Sequence, residues 1–378
     1  MGVICLSLAL GYLVFLAGSV LQGFWLVGPD GRPVANDFVM VWAGGRLALD
    51  GQAAAAWNWE TAKTVAVAAV GHDYDGLYPW FYPPAYLFVA APFATLPLVP
   101  AMLAWLTVTG LAYALVVRGF VGGGLGLLVA AAAPGALWNL VATQNGFLTA
   151  ALFGGALLSL ERRPVLAGVL FGILTIKPQL GLLVPLALLA GGHWRTIVAA
   201  VVTTLLLAAA SALVFGTDVL AAYVASLPVA TKINLAEGLV GWAKLQSVFG
   251  LVRLLGGSQL VATLVQGAVT LAVAAVIVVL WARKRTPMDL KAAALACGAL
   301  LATPYAFVYD LAVLTIPAAV LIRRGIDDGF FPRIEIVGLL LAAALILSFL
   351  VVPVQVGLVA TAIVMRLVLR RAFAARPA

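Results

Sequence analysis

The feature that most constrains the fold of this 378-residue chain is a series of long apolar segments with very few charges inside them. Hydrophobic residues make up 64% of the sequence and charged residues 10%, against roughly 25% charged residues in an ordinary globular domain. The mean hydropathy is +1.13, and no aqueous core could bury so much apolar surface. At ~20 residues per span, and with connecting segments between the spans, the length allows about 11–13 transmembrane helices. We therefore predict a single all-α, polytopic membrane domain over residues 1–378.

The net charge of +8 comes from basic clusters between the apolar segments, at residues 162–163, 283–285, 323–324 and 370–371. Such clusters are typical of cytoplasmic loops. This assignment places both termini in the cytoplasm. It also places two longer segments on the outer side of the membrane, residues 28–82 and 216–258. No basic stripe is interleaved with aromatic residues, so we expect no nucleic-acid partner.

Two regions affect the predicted number of membrane spans. Residues 3–27 lack a basic leader region and an obvious small-residue cleavage site, and they are too long for the apolar region of a signal peptide, so they are predicted to be a retained first span. Residues 84–117 begin at Pro84, contain Pro92, Pro97 and Pro100, and are long for one span. They form either a kinked span with an interfacial entry or a short hairpin that changes the count. Cys5 and Cys297 lie in apolar segments and predict neither a disulfide nor a thiolate metal site.

Several apolar segments are too short to cross a bilayer: residues 147–160, 165–176, 180–190 and 311–322. A helix of a dozen residues reaches under ~20 Å at ~1.5 Å per residue, whereas the hydrocarbon core is ~30 Å thick. Irregular polar backbone at such depth is tolerated where protein covers it or water reaches it. The turns at the outer ends of these segments should therefore line a cavity that opens outward: residues 144–145, 177–179 and 305–310.

Asp37 follows closely after the first span and suits glycosyl transfer. Moving a sugar onto a hydroxyl needs a carboxylate base for the hydroxyl proton. It also needs cationic or amide donors for a departing phosphate. Asp37 fits the first role, unless it only caps a helix over residues 38–49. The cations that fit the second role are Arg46, Lys177, Lys244 and Arg253.

Each deep polar residue has a second interpretation. Lys177 either acts in the site, as its mid-membrane position favours, or extends to the outer interface. Asp310 is either a second acid or metal ligand, or the cap of the following helix. Gln144 and Asn145 either bind sugar hydroxyls or satisfy a buried turn, and Gln179 shares the Lys177 turn.

The aromatic candidates are also open to two interpretations. Tyr82 precedes two prolines and is either a substrate contact or part of a rigid entry into a span. Tyr305 and Tyr309 are either substrate contacts or interfacial aromatics. In the second loop, the sequence predicts a short helix that carries Trp242, Lys244 and Gln246. These residues either form a sugar pocket with a stacking ring, or the helix lies at the membrane interface with Trp242 as its anchor.

At these residues the sequence resembles glycosyltransferase family 87. The resemblance rests on motifs in a fixed order: Asn36-Asp37-Phe38, Phe81-Tyr82-Pro83-Pro84, Gln144-Asn145, Lys177-Pro178-Gln179, residues 242–247 and Thr303-Pro304-Tyr305 with Tyr309-Asp310. It covers nearly the whole chain. Thr143 stands where glycine is expected from the family pattern.

The resemblance implies a GT-C fold and an active site on the outer face of a bacterial plasma membrane. It implies transfer with inversion of a hexose, by analogy mannose, from a polyprenyl-phosphate donor to a lipid or glycan acceptor. Asp37 is then the base, with no cofactor, nucleotide sugar or divalent metal expected. The sequence leaves the oligomeric state open.

Two other functions stay open at this point. A transporter or lipid flippase would show inverted repeats around a midplane site, and no repeat at a fixed period is visible. A catalytically inactive scaffold is the second alternative.

Overall fold

The computed structural model describes residues 2–374. Within this range the chain is 77% helical, with 18 α-helices and no β-sheet. This confirms the predicted all-α class. The helices are α1 Gly2–Leu21, α2 Phe38–Leu49, α3 Trp59–Val70, α4 Leu87–Phe93, α5 Leu98–Val121, α6 Gly123–Ala132, α7 Pro134–Ala142, α8 Gly146–Ser159, α9 Pro164–Ile173, α10 Val184–Gly191, α11 Trp194–Phe215, α12 Asp218–Thr231, α13 Val248–Leu254, α14 Gln259–Ala282, α15 Met288–Ala302, α16 Thr315–Asp327, α17 Arg333–Ser348 and α18 Val356–Ala374.

Shorter helical turns connect these helices. The 3₁₀ turns are Ala53–Trp57, Pro84–Tyr86, Leu174–Ile176, Pro178–Gly181, Trp242–Lys244 and Val308–Leu314, and Lys232–Ala236 is a π-helical turn.

Five helices of the described chain are long and apolar enough to cross a membrane: α1, α5, α11, α14 and α12 with its π-helical extension to Ala236. Helices α6 and α7 count as a sixth if the pair, bent by 55°, is one span. By length and composition, the protein is therefore a multi-pass membrane protein.

Ion pairs between distant helices gather at one end of the bundle, here called the basic end. Arg324 of α16 binds Asp289 of α15 through two hydrogen bonds of 2.6 and 2.7 Å. Arg371 of α18 binds Glu335 of α17 at the same distances. Arg323 donates to the last carbonyl of α5 at 3.2 Å. Two of the basic regions seen in the sequence, residues 323–324 and 370–371, thus meet at one end of the structure.

The described chain passes twelve times between the basic end and the opposite end, through α1, α5, α6–α7, α8, α9, α10, α11, α14, α15, α16, α17 and α18. Some passes are much shorter than a bilayer, such as the eight residues of α10. A short helix can take part because its end is covered by protein, which satisfies the backbone groups that lipid cannot.

The segment from residue 84 to 117 contains a short helix followed by a long one. Helix α4 has seven residues and packs against α2, where Gly45 lies so close to Ala90 that an added Cβ would be 2.5 Å from its carbonyl oxygen. Helix α5 then has 24 residues. This segment therefore contains one helix long enough to cross a membrane, preceded by a shorter apolar helix.

The predicted second outer loop, residues 216–258, contains an apolar helix that the sequence interpretation missed. Helix α12 and its extension have a mean hydropathy of 1.4, against 2.3 to 2.5 for α1, α11 and α14, and Pro228 lies inside α12. Low hydropathy and an internal proline are more typical of a loop than of a membrane span. The helix stays at the end opposite the basic end, because Tyr223 packs 6.4 Å from the Trp57 ring and the Thr231 hydroxyl lies 3.3 Å from that of Tyr305.

Small residues bring α9 and α11 into close contact. Gly168 and Gly172 are four residues apart on α9, the spacing that lets membrane helices approach closely. A Cβ at Gly168 would lie 2.4 Å from the Thr196 carbonyl oxygen, and one at Gly172 would lie 2.5 Å from the Cβ of Thr203. This contact fixes the helix that leads directly to Lys177.

Candidate active site

A cavity of about 320 Å³ lies at the end of the bundle opposite the basic end. Its walls come from the start of α2, residues 77–83, α12, residues 240–244 and the turns of three short helices. Those turns contribute Gln144, residues 176–179 and residues 305–309. They are the turns that the short apolar segments predicted to line a cavity.

The carboxylate of Asp37 lies in the wall of this cavity at the start of α2. Asp37 occupies the N-cap position, but its side chain makes no capping hydrogen bond. Its neighbour Asn36 instead accepts a hydrogen bond of 2.9 Å from the Phe38 amide. Because Asn36 accepts the hydrogen bond of the first amide of α2, the Asp37 carboxylate is not needed there and can face the cavity.

Burial raises the pKa of the Asp37 carboxyl above its ordinary value, because the charged form loses hydration. The ammonium group of Lys244 is the main opposing influence, and the Gln144 side chain and Lys177 lower the pKa further. A carboxylate with a raised pKa is a better proton acceptor than one on the surface.

An aromatic pair positions Gln144 beside Asp37. The Tyr82 hydroxyl donates to Gln144 Oε1 at 3.1 Å, and the Asn145 amide donates to the same oxygen at 2.9 Å. The Tyr82 ring is stacked on Tyr86 at 4.2 Å. With Gln144 Oε1 occupied in this way, its amide nitrogen is the group that remains for Asp37 or for substrate.

Thr143 holds the turn between α7 and α8 in a left-handed conformation, with φ of 53° and ψ of 40°. Glycine adopts this conformation without steric cost, whereas a β-branched residue is unusual there. The glycine expected from the family pattern therefore corresponds to a real backbone requirement. This chain meets the requirement with threonine, and Gln144 keeps its place in the cavity wall.

Below the cavity, Lys177 and Asp310 form a buried ion pair, with side-chain exposures of 3% and 0%. The Lys177 ammonium also donates to Asn145 Oδ1 at 2.9 Å and lies 4.7 Å from the centre of the Tyr309 ring. Lys177 thus does not extend to the interface. It links three separate turns of the chain.

Asp310 combines two of the roles considered for it. One carboxylate oxygen pairs with Lys177, while the other accepts a hydrogen bond of 3.0 Å from the Phe307 amide. The second contact caps the 3₁₀ turn Val308–Leu314. Asp310 lies beneath the cavity and does not line it, whereas Tyr309 does.

Of the candidate residues in the second loop, only Lys244 lies in the cavity wall. Lys244 lines the cavity, and among the described residues no ion pair within 4.0 Å involves it. Gln246 is buried, accepts from the Gly357 amide at 2.7 Å and donates to two carbonyl groups. Trp242 packs under Arg253 at 4.6 Å and lies outside the cavity lining.

The remaining candidates divide in the same way. Gln179 and Tyr305 line the cavity. Asn145 lies beneath it and binds Lys177. Arg46 lies outside the lining and pairs with Asp50 on the surface, with hydrogen bonds of 2.5 and 2.9 Å.

Helix α12 and its π-helical extension supply cavity residues that the sequence interpretation did not name: Tyr223, Leu227, Ala230, Thr231 and Asn234. They recur at three- and four-residue intervals, which is the signal of one helix face. Tyr78 is a further lining residue that was missed, in an irregular stretch where no period exists.

Over residues 2–374, no group of three or more His, Cys, Asp or Glu side chains converges in a way that could hold a metal ion. The charged side chains in the cavity wall are Asp37, Lys177 and Lys244.

Replacing Lys177 by methionine should strongly destabilise the protein, because Asp310 would be left as an unpaired buried carboxylate. Breaking a buried pair in this way costs about 3–5 kcal/mol in the free energy of unfolding. The double variant Lys177→Met/Asp310→Asn should recover much of the loss, since asparagine keeps an acceptor for the Phe307 amide. Thermal unfolding in detergent measures both effects. Equal stability of the single variant and the wild type would contradict a buried pair.

Comparison with protein families gives a direct match. The family model described as glycosyltransferase family 87 matches residues 80–304, more than half of the chain. The match includes Tyr82, Gln144, Lys177 and Lys244, while Asp37 lies outside it. Comparisons with curated proteins and with solved structures found no match. The chain belongs to glycosyltransferase family 87 and is a membrane glycosyltransferase.

Proposed function

We propose that the protein transfers a hexose, with inversion, from a polyprenyl-phosphate sugar to a hydroxyl group of a lipid or glycan. One observation carries this proposal. Asp37 and Lys244 both line the cavity, and no ion pair within 4.0 Å joins them. A carboxylate and an ammonium group that share a cavity without neutralising each other leave room for a substrate between them.

The reaction needs one proton acceptor. As the acceptor oxygen forms its bond to the anomeric carbon of the sugar, its hydroxyl proton passes to the Asp37 carboxylate. The bond from the anomeric carbon to the phosphate oxygen breaks on the opposite face, and polyprenyl phosphate leaves. The transition state has oxocarbenium character, which nearby negative charge stabilises. Asp37 then returns its proton to water.

Lys244 is the cation that best suits the departing phosphate. Lys177 already contacts Asp310, Asn145 and the face of Tyr309. Lys244 has no comparable partner among the described residues, so its hydrogen-bond donors are available for a phosphate oxygen. A positively charged donor at the leaving group stabilises charge that develops in the transition state.

A lipid-linked donor suits the cavity wall. Leu227 of α12 lines the cavity and is 42% exposed. Neighbouring α12 residues Leu220, Val224 and Val229 are exposed as well. A polyprenyl tail can therefore remain in the apolar surroundings of α12 while its phosphate and sugar enter the cavity. Mannose as the sugar rests on the family resemblance.

The distribution of charge supports a cavity on the outer side of a bacterial plasma membrane. The basic end carries Arg283, Arg323, Arg324 and Arg371, and such clusters remain in the cytoplasm. Both ends of the described chain lie at the basic end, so the termini are proposed to be cytoplasmic.

The rival function, a transporter or flippase, places its binding site near the membrane midplane between two structural repeats. Here the cavity lies at one end of the bundle, where the long segment from residue 28 to 82 contributes much of the wall. These features favour the transferase.

Replacement of Asp37 by asparagine should reduce transfer at least ~100-fold, the usual contribution of a general base, because the amide cannot accept the proton. The assay is transfer of labelled mannose from polyprenyl-phosphate mannose to a lipid extract. The matched control is Asp75→Asn, an exposed acid in the same loop, which should keep full activity. Both variants should unfold at the wild-type temperature. Undiminished transfer by Asp37→Asn would remove Asp37 as the base, and absence of transfer by the wild type would reject this donor.

The activity should fall as the pH falls through the pKa of Asp37, because only the ionised carboxylate accepts a proton. Lys244 lowers that pKa. In the variant Lys244→Met, the acid limb of the pH profile should therefore move to higher pH, and kcat should also fall. Lys244→Arg should keep the wild-type position of the limb. A limb that stays in place in Lys244→Met would show that these two groups do not interact.

The orientation can be tested with introduced cysteines, because Cys5 and Cys297 are both buried. In intact cells, a membrane-impermeant maleimide should label Asp75→Cys in the first loop. It should label Arg285→Cys, at the basic end, only after the cells are opened. Both positions are exposed. The reverse labelling pattern would place the cavity in the cytoplasm.

A further inference from the structure

A surface groove on α18 takes no part in the proposed reaction. It runs along α18 from the basic end to Leu301 in the last turn of α15 and has a volume of about 500 Å³. Leu301 and Met365 are among its apolar residues, Arg366 and Arg370 contribute its charges, and Phe373 also lines it. The groove is thus apolar for most of its length, with two guanidinium groups one helical turn apart.

Arg366 lies at a depth where the bundle presents apolar side chains to its surroundings. On α18 it comes five residues before Arg371, or about 7.5 Å along the helix axis. Arg371 belongs to the ion pairs of the basic end. Helix α17 packs beside this part of α18, since a Cβ at Gly338 would lie 2.8 Å from the side chain of Leu367. The exposed residues of α17 near Gly338 are Val337, Leu340 and Leu341.

Arg366 and Arg370 lack the carboxylate partners that Arg323, Arg324 and Arg371 possess. Arg323 pairs with Asp327, and Arg324 pairs with Asp289. By contrast, Arg366 and Arg370 are exposed, and within residues 2–374 they make no ion pair and no side-chain hydrogen bond. An arginine that faces lipid without a partner costs free energy, because its charge loses hydration. The side chain alone can avoid this cost only by extending its guanidinium group to the membrane interface.

We propose that Arg366 and Arg370 bind the phosphate of an anionic phospholipid, whose acyl chain lies in the groove against Leu301 and Met365. Residues at i and i+4 lie on the same helix face, so both guanidinium groups can reach one headgroup. Guanidinium matches phosphate through paired hydrogen bonds. Arg283 lies 4.9 Å from the centre of the Phe373 ring, which adds a third positive charge beside the groove.

This site is independent of the proposed transfer reaction, because none of its lining residues lines the cavity that contains Asp37. It nevertheless contacts two helices that lead to the cavity. Helix α15 continues into the turn that contains Tyr305, and α18 begins beside Gly357, whose amide binds Gln246. A lipid that bridges α15 and α18 should therefore stabilise the folded protein.

The experiment measures lipid binding by purified full-length protein in detergent. Phosphatidylglycerol is titrated against phosphatidylcholine, and the midpoint of thermal unfolding and the bound lipid in native mass spectra are recorded. The wild type should bind phosphatidylglycerol selectively and unfold at higher temperature with it. The variant Arg366→Gln/Arg370→Gln should bind at least about tenfold more weakly, since each charged hydrogen bond contributes about that factor. Without added lipid it should unfold as the wild type does.

The matched control is Arg162→Gln/Arg163→Gln, which removes two exposed arginines away from the groove. This variant should keep wild-type binding of phosphatidylglycerol. The proposal is overturned if phosphatidylglycerol and phosphatidylcholine act alike on the wild type, or if both double variants lose binding equally. It is also overturned if inorganic phosphate stabilises the wild type as much as the lipid does, because the site would then hold a free anion.

Discussion

The buried ion pair between Lys177 and Asp310 is the contact on which the cavity depends. It joins the turn after α9 to the turn before α16, and Asn145 adds the start of α8. These turns end helices too short to reach across a bilayer. A charged pair at this depth is tolerated because each partner satisfies the other and the carboxylate also accepts a backbone amide. Asp37 and Lys244 stand above this base, in walls built from other segments.

Charges in the protein are used in two different ways. Lys177, Arg324 and Arg371 are all neutralised by carboxylates on another segment, and they hold helices together. Lys244 and Asp37 have no such partner within the described chain and share a cavity instead. This difference in pairing is the reason that we assign the proposed phosphate contact to Lys244 and not to Lys177.

Segment length and polarity predicted much of this arrangement. Lengths of about a dozen residues indicated that Lys177 would lie deep, and the order of motifs indicated the family. Pairing could not be predicted, because it depends on which turns meet in space: Asp310 proved to be the partner of Lys177, and Arg46 that of its surface neighbour Asp50. Helix α12 was missed because its hydropathy is low and Pro228 interrupts it.

The even number of passes has a consequence for how copies of the chain can be joined. Gly2 and Ala374 lie at the same end of the bundle, so two copies linked head to tail would insert into the membrane with the same orientation. A linker between them would never need to cross the bilayer. An odd number of passes would place every second copy upside down, with its cavity facing the wrong compartment. Gene duplication or engineered tandem fusion therefore costs this architecture no change of topology.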